Sequence, residues 1–202
     1  MKIGSLFSGY GGLETAVHRV FGGELAWVSD IDPGADSILA YHWPHVPNLG
    51  DITTVDWSQV EPIDILTGGS PCQDLSAAGR RGGMTDGTRS NLWVAMREAI
   101  SQLHPALVVW ENVQGAHSAK ADTGVDVEHC TECMGNPGTP LLRALGRVLG
   151  DLSELGYDAQ WGDLRASDVG APHRRQRVFV IAWPAADSDD VGRYGWPGVV
   201  RA

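Results

Sequence analysis

Cysteine, positive charge and long apolar runs are what this chain has little of, and each scarcity removes a class of protein. Three cysteines, Cys72, Cys130 and Cys133, cannot build the disulfide framework of a small secreted domain. They point instead to chemistry or metal binding in a reducing compartment. No uninterrupted apolar stretch nears the ~20 residues that cross a bilayer, and Met1-Lys2-Ile3-Gly4 begins a strand rather than a signal peptide. The expectation is a soluble cytoplasmic protein with no membrane partner. Lys and Arg number 15 against 25 Asp and Glu, a formal charge of −10. Duplex binding draws its affinity from neutralised phosphates, so the sum weighs against nucleic acid. Distribution matters more than the sum. Positive charge gathers at Arg80, Arg81 and Arg89 and again at Arg174, Arg175 and Arg177, while Asp187, Asp189 and Asp190 lie in the tail.

What is present is a chain of 202 residues, 43% hydrophobic, enough for one globular domain with a substantial core. Residues 2–8 read as a buried strand that ends in the turn Ser8-Gly9-Tyr10-Gly11-Gly12. Leu13, Ala16, Val17 and Val20 then recur at helical spacing. Residues 24–30 predict a second strand, and Pro33 opens a helix through residue 40 as a first-turn proline does. Residues 48–53 suggest a short third strand, 63–69 a fourth and 91–103 a helix. Residues 106–113 form a fifth strand, near-continuously apolar as a central parallel strand is. A helix over 141–155 precedes an antiparallel pair at 157–166 and 177–183. Strands alternating with helices imply an α/β protein built on a doubly wound, mostly parallel sheet. The domain spans 1–183 with a polar excursion at 117–140, and 184–202, rich in Asp, Gly and Pro, is an irregular tail.

Two motifs carry chemistry. Gly69-Ser70-Pro71-Cys72-Gln73 puts a thiol on a turn after the fourth strand, and Glu111-Asn112-Val113 puts a carboxylate at the end of the fifth. In an open α/β sheet, ligands collect outside the carboxyl ends of the strands. A thiol and a carboxylate delivered there are the parts for nucleophilic attack assisted by proton donation. The plain alternatives are an inert small cysteine and a strand-end surface acid. After the first strand, Phe7-Ser8-Gly9-Tyr10-Gly11-Gly12 offers small residues and helix N-terminal amides to a ligand, but in no G-x-G-x-x-G register. Asp30 follows the second strand, where nucleotide-binding folds place an acid for ribose hydroxyls; its alternative is a cap for the helix at Pro33.

In these motifs the chain resembles the C5-cytosine DNA methyltransferases, whose Pro-Cys-Gln and Glu-Asn-Val signatures it reproduces. The resemblance runs from residue 2 to about 183. It implies a Rossmann-like sheet of the S-adenosylmethionine-dependent methyltransferase type with an antiparallel C-terminal strand pair. It implies that Phe7, Gly9 and Gly11 hold S-adenosylmethionine, that Asp30 binds its ribose, and that Asp51 and Ile52 meet its adenine, with Leu92 a further contact. Cys72 is then the nucleophile on C6 of cytosine and Glu111 the group at N3 and the exocyclic amine. Arg177 contacts O2, and Arg175 supports the site and the phosphate side. Pro71, Gln73, Arg80, Arg81 and Asn112 face the substrate. His173-Arg174-Arg175-Gln176-Arg177 departs from the family's Gln-x-Arg-x-Arg pattern by a histidine in place of the first glutamine. The segment 73–89 corresponds to the loop that closes on double-stranded DNA, with the cytosine flipped out of the stack.

The family's plan continues into a target-recognition region and a returning segment, and this sequence, ending at Ala202, carries neither. A second polypeptide that supplies recognition, a truncated remnant, and a minimal enzyme of little sequence preference all fit that ending. Two other functions share these motifs: a module that binds cofactor or DNA without turnover, and an RNA cytosine-C5 methyltransferase. Cys130 and Cys133 make one Cys-x-x-Cys, half the spacing of a zinc site. They are candidate ligands only, and no metal is expected to take part in the reaction.

Overall fold

The computed structural model describes residues 1–70, 92–117 and 144–185. Six strands form one sheet: β1 (Lys2–Leu6), β2 (Glu24–Ser29), β3 (Ile65–Gly68), β4 (Leu107–Val113), β5 (Tyr157–Arg165) and β6 (Gln176–Pro184), in the order β2-β1-β3-β4-β6-β5. β1 pairs in parallel with β2 and β3, and β3 with β4. β6 runs antiparallel to both β4 and β5. This is the α/β sheet expected, with its antiparallel C-terminal pair. The second member of that pair is the inner one, so it delivers its first residues to the edge of β4.

Among the described residues four α-helices flank the sheet: α1 (Gly12–Phe21), α2 (Pro33–His42), α3 (Leu92–Leu103) and α4 (Ala144–Glu154). Alternation along the central strands sorts the core into two layers. Leu107 and Val109 of β4 pack with Ile3, Ile65 and the α1 residue Val17. Val108 and Trp110 turn to the opposite face, with Trp93, Met96 and Ile100 of α3 and Val148 and Leu152 of α4. Three indoles in the core, on Trp27, Trp93 and Trp110, are almost wholly buried, and each N–H finds an acceptor: Glu61 O at 3.0 Å, Asp151 Oδ2 at 2.7 Å and Ser70 Oγ at 3.0 Å. Large aromatics can be buried whole only where the polar edge is satisfied.

The expected strand over 48–53 is not one. Asn48 makes a single parallel bridge to Val28, after which Gly50 takes φ 71°. The Asp51 carboxylate then accepts from the Thr53 amide at 2.9 Å and starts a 3-10 turn over Ile52–Thr54. A side chain that bonds its own backbone two residues on diverts the chain from a ladder. Helix α2 starts where proline predicted, but Asp32 is its cap, accepting from the amides of Gly34 at 2.8 Å and Ala35 at 2.9 Å. Asp30 is therefore free of that role. Among the described residues no helix is long and apolar enough to cross a membrane.

Candidate active site at the carboxyl ends of the strands

β1 ends at Leu6, and the chain then turns through Phe7 at φ 56° and Gly9 at φ 56° into α1. Gly11 sits in the left-handed region at φ 83°, and a Cβ there would lie 2.5 Å from the Trp43 ring, so glycine is needed twice over. Asp30, just past β2, holds this turn: its Oδ2 accepts from the Gly9 amide at 2.8 Å and its Oδ1 from the Asp32 amide at 2.9 Å. The Phe7 amide adds a bond to Ser29 O at 2.8 Å.

Asn48 carried no signal in the sequence reading, yet it ties the loop after α2 to this corner. Its Oδ1 accepts from the Asp30 amide and the Gly50 amide, each at 3.0 Å, and its Nδ2 donates to Asp30 O at 3.0 Å. That hub brings Asp30 and the Gly50-Asp51 turn together. The Asp51 carboxyl is exposed and held below the usual carboxylate range by the Thr53 amide and hydroxyl. Ile52 is buried in the layer that also includes Leu6 and Trp27, and Phe7 and Leu92 pack against that layer half-buried. The structure thus gathers Phe7, Gly9, Asp30, Asp51 and Ile52 around one corner, with acids, glycine turns and apolar side chains together, while Leu92 is placed only against the same core layer. In front of Gly9 and Gly50 there is open space where a side chain would stand, room for a ligand to meet backbone. That donor set fits a nucleoside-bearing cofactor.

The chemical end lies on β4 and β6. Glu111 is opposite Phe179, and Arg177, opposite Val113, reaches diagonally to put its Nε 2.8 Å from Glu111 Oε1. Burial pushes the Glu111 carboxyl up, against the pull of Arg177 and Arg175. Arg175 lies ahead of β6 at φ 30° and is exposed. Gly69, at the end of β3, leaves the space into which Glu111 leans; a Cβ there would be 3.2 Å from Glu111 Oε2.

Ser70 is buried, and two side chains of β4 converge on it. Trp110 Nε1 donates to its hydroxyl at 3.0 Å and Asn112 Nδ2 at 3.2 Å. Asn112 is itself 2% exposed, with its Oδ1 accepting from the Val113 amide at 2.8 Å. Its amide is engaged in fixing the strand end that leads to Pro71. In the sequence Ser70 has no role beyond its place in the Cys72 motif, and Trp110, an indole in an apolar strand, carries no local signal. Pro71, Cys72, Gln73, Arg80, Arg81, Cys130 and Cys133 lie outside the described residues, within which no cluster of three or more His, Cys, Asp or Glu could hold a metal ion.

Comparison with known proteins agrees with this geometry. The family model for C-5 cytosine-specific DNA methylase matches residues 1–188. The chain is 31% identical over 195 residues to the type II methyltransferase M2.BsuMI of Bacillus subtilis, covering 95% of this chain and 44% of that protein. It is 34% identical over 196 residues to a protein of Escherichia phage P1 named DNA N-6-adenine-methyltransferase, covering 81% of this chain and 26% of that one. The chain therefore spans less than half the length of these relatives. Among solved structures, a putative DNA modification methyltransferase encoded within an E. coli prophage superposes with a TM-score of 0.64 at 24% identity, covering 91% of this chain and 47% of that one.

Proposed function

The chain belongs to the C-5 cytosine-specific DNA methylase family, and on that premise we propose that it is the catalytic portion of a DNA (cytosine-5-)-methyltransferase. S-adenosylmethionine, held at the corner of Phe7, Gly9, Gly11, Asp30, Asp51, Ile52 and Leu92, supplies the electrophilic methyl group when bound. The substrate is a cytosine flipped out of duplex DNA, since C5 and C6 of a stacked base are out of reach of a side chain.

Cys72 adds to C6 as the thiolate, forming a C–S bond. A free thiol has a pKa of about 8.5, so the ring must be made more electrophilic for attack at neutral pH. Glu111 does this by holding a proton at N3 and accepting from the exocyclic amine. Electron density then moves to C5, which takes the methyl. A base removes the C5 proton, and Cys72 leaves as the C5–C6 double bond returns. Arg177 keeps Glu111 aimed and, at O2, faces the developing charge; Arg175 sits on the phosphate side. Arg80 and Arg81 contact the DNA backbone and Pro71 and Gln73 complete the substrate side, while Asn112, buried and bonded to Ser70 and Val113, acts by fixing the strand end rather than by touching substrate.

The observation that carries this reading is the Arg177–Glu111 pair at 2.8 Å, half-buried, with the glutamate's proton held more firmly than usual. It stands beside the end of β3, where the Cys72 segment begins. A duplex with 5-fluorocytosine tests it, because fluorine at C5 blocks proton loss. Incubation with S-adenosylmethionine should leave an adduct stable to denaturing electrophoresis, lost in Cys72→Ser. Adduct formation by Cys72→Ser would remove the nucleophile from the scheme. Repeating the incubation with host lysate tests whether a second polypeptide supplies target recognition.

A further inference from the structure

Beneath the glycine-rich turn lies a carboxyl group that the reaction above does not use. Glu14 stands in the first turn of α1 and is 3% exposed. Its Oε1 accepts from Ser5 Oγ, and its Oε2 is buried with no partner among the described residues. Ser5 Oγ in turn accepts from Ser8 Oγ at 2.8 Å. Ser8 belongs to the turn itself, and the next amide, that of Gly9, is the one Asp30 holds at 2.8 Å. A chain of hydroxyls therefore runs from Glu14 through β1 into the turn.

The groups around Glu14 make a charged carboxylate costly. Asp30, past the end of β2, repels it. His18, one turn along α1, and Glu24, at the start of β2, line with Glu14 a cavity of about 360 Å³ that also includes Ile3 and Trp43. Among the described residues no lysine or arginine pairs with Glu14. A buried ion without a counter-ion is one of the more expensive features a fold can carry. Burial, aided by Asp30, raises the Glu14 carboxyl to about 7, against the pull of its own amide and of Ser8. The neutral acid fits what is seen: one oxygen accepts the serine chain while the other carries the proton.

We propose that Glu14 is a positioning residue, which through Ser5 and Ser8 holds the glycine-rich turn in the form that accepts S-adenosylmethionine. The proposal rests on the cofactor reading given above. When Glu14 loses its proton, a desolvated oxygen must recruit a donor, and the nearest rotatable donors are the two serine hydroxyls. A charged Glu14 draws the Ser5 and Ser8 hydroxyls more tightly onto its own oxygens and out of the arrangement that carries the turn, so cofactor affinity falls as pH rises.

Calorimetric titration of the full chain with S-adenosylhomocysteine between pH 6 and 8.5 tests this. The wild type should lose roughly three- to tenfold in affinity across that range, the loss that linkage gives when binding raises one pKa by about half to one unit. Glu14→Gln, neutral at every pH, should bind with a flat profile, and Ser8→Ala should be weaker at pH 6 and flatter than wild type. A flat wild-type profile, or a Glu14→Gln profile that follows the wild type, overturns the proposal while leaving the cofactor reading in place. No binding by the wild type at any pH overturns both. If Glu14→Gln does not fold, carboxyl 13C NMR of the wild type decides instead. The Glu14 pKa should rise on adding S-adenosylhomocysteine, and an unmoved pKa would contradict the proposal.

Discussion

Burial lifts the Glu111 carboxyl while Arg177, 2.8 Å away, and Arg175 pull it down, and burial prevails. A group with a raised pKa keeps its proton to higher pH, so the rate of methyl transfer should fall on the alkaline side as Glu111 ionises. Arg177→Ala removes an influence that lowers this pKa. The alkaline limb of the rate profile should then move to higher pH, while the maximal rate drops roughly 10- to 100-fold, as loss of a charge-assisted bond worth about 1.5–3 kcal/mol implies. An alkaline limb that stays put would separate the arginine from the glutamate. Glu14 gives a second test at this scale, in stability rather than rate. Its carboxyl goes from an ordinary 4.5 in the unfolded chain to about 7 in the fold. The native state thus binds more protons between those values, and stability falls as pH rises through them. Glu14→Gln has no such loss and should exceed the wild type by up to about 3 kcal/mol at pH 8 in urea unfolding. At pH 4 the two should be alike.

Among the elements, the strand end that leads to the catalytic segment is fixed from β4. Ser70→Ala leaves the buried Trp110 indole N–H without its acceptor, while Asn112 keeps only its longer bond to the Ser70 carbonyl. A buried unsatisfied donor costs about 1–3 kcal/mol, and the denaturation midpoint should fall accordingly. The same change should lower the turnover rate and leave S-adenosylhomocysteine affinity unchanged, because β3 and not the glycine turn is loosened. At the start of α1, Gly11→Ala forces a side chain against Trp43 at φ 83°. It should cost about 2 kcal/mol or more in thermal or denaturant unfolding. The elements that could be read from sequence are those with an internal pattern. The apolar run 106–113 became β4, and Pro33 marked the start of α2. Residues 48–53 carry no pattern strong enough to hold a strand, and the Asp51 side chain closes a turn on Thr53 instead. The site divided in the same way. Glu111, Asp30 and the glycine turn stand out by residue type at strand ends, whereas Arg177 stands out only through the family motif that its segment resembles. Asn48, Ser70, Trp110 and Glu14 act through partners separated from them in the sequence, as with Trp110 and Ser70, 40 positions apart, and only the fold brings those partners together.

For the whole molecule, the order β2-β1-β3-β4-β6-β5 sets the cofactor corner on β1 and β2 and the chemical end on β4 and β6, with β3 between them. The segment proposed to carry the nucleophile follows that middle strand in the sequence. A net charge of −10 opposes approach to DNA, so binding must depend on the local arginines and should weaken steeply with added salt. Nitrocellulose retention of duplex DNA at 50 and 200 mM salt should show that loss, and Arg80→Ala with Arg81→Ala should flatten it. The relative of Escherichia phage P1 bears an adenine methyltransferase name, which makes the identity of the methylated base the point on which the account turns. The most direct measurement is mass spectrometry of nucleosides from unmethylated genomic DNA incubated with the chain, labelled S-adenosylmethionine and host lysate. The account predicts label in 5-methylcytosine, absent with Cys72→Ser and strongly reduced with Glu111→Gln. Label in N6-methyladenine, or 5-methylcytosine formed equally well by Cys72→Ser, would contradict it.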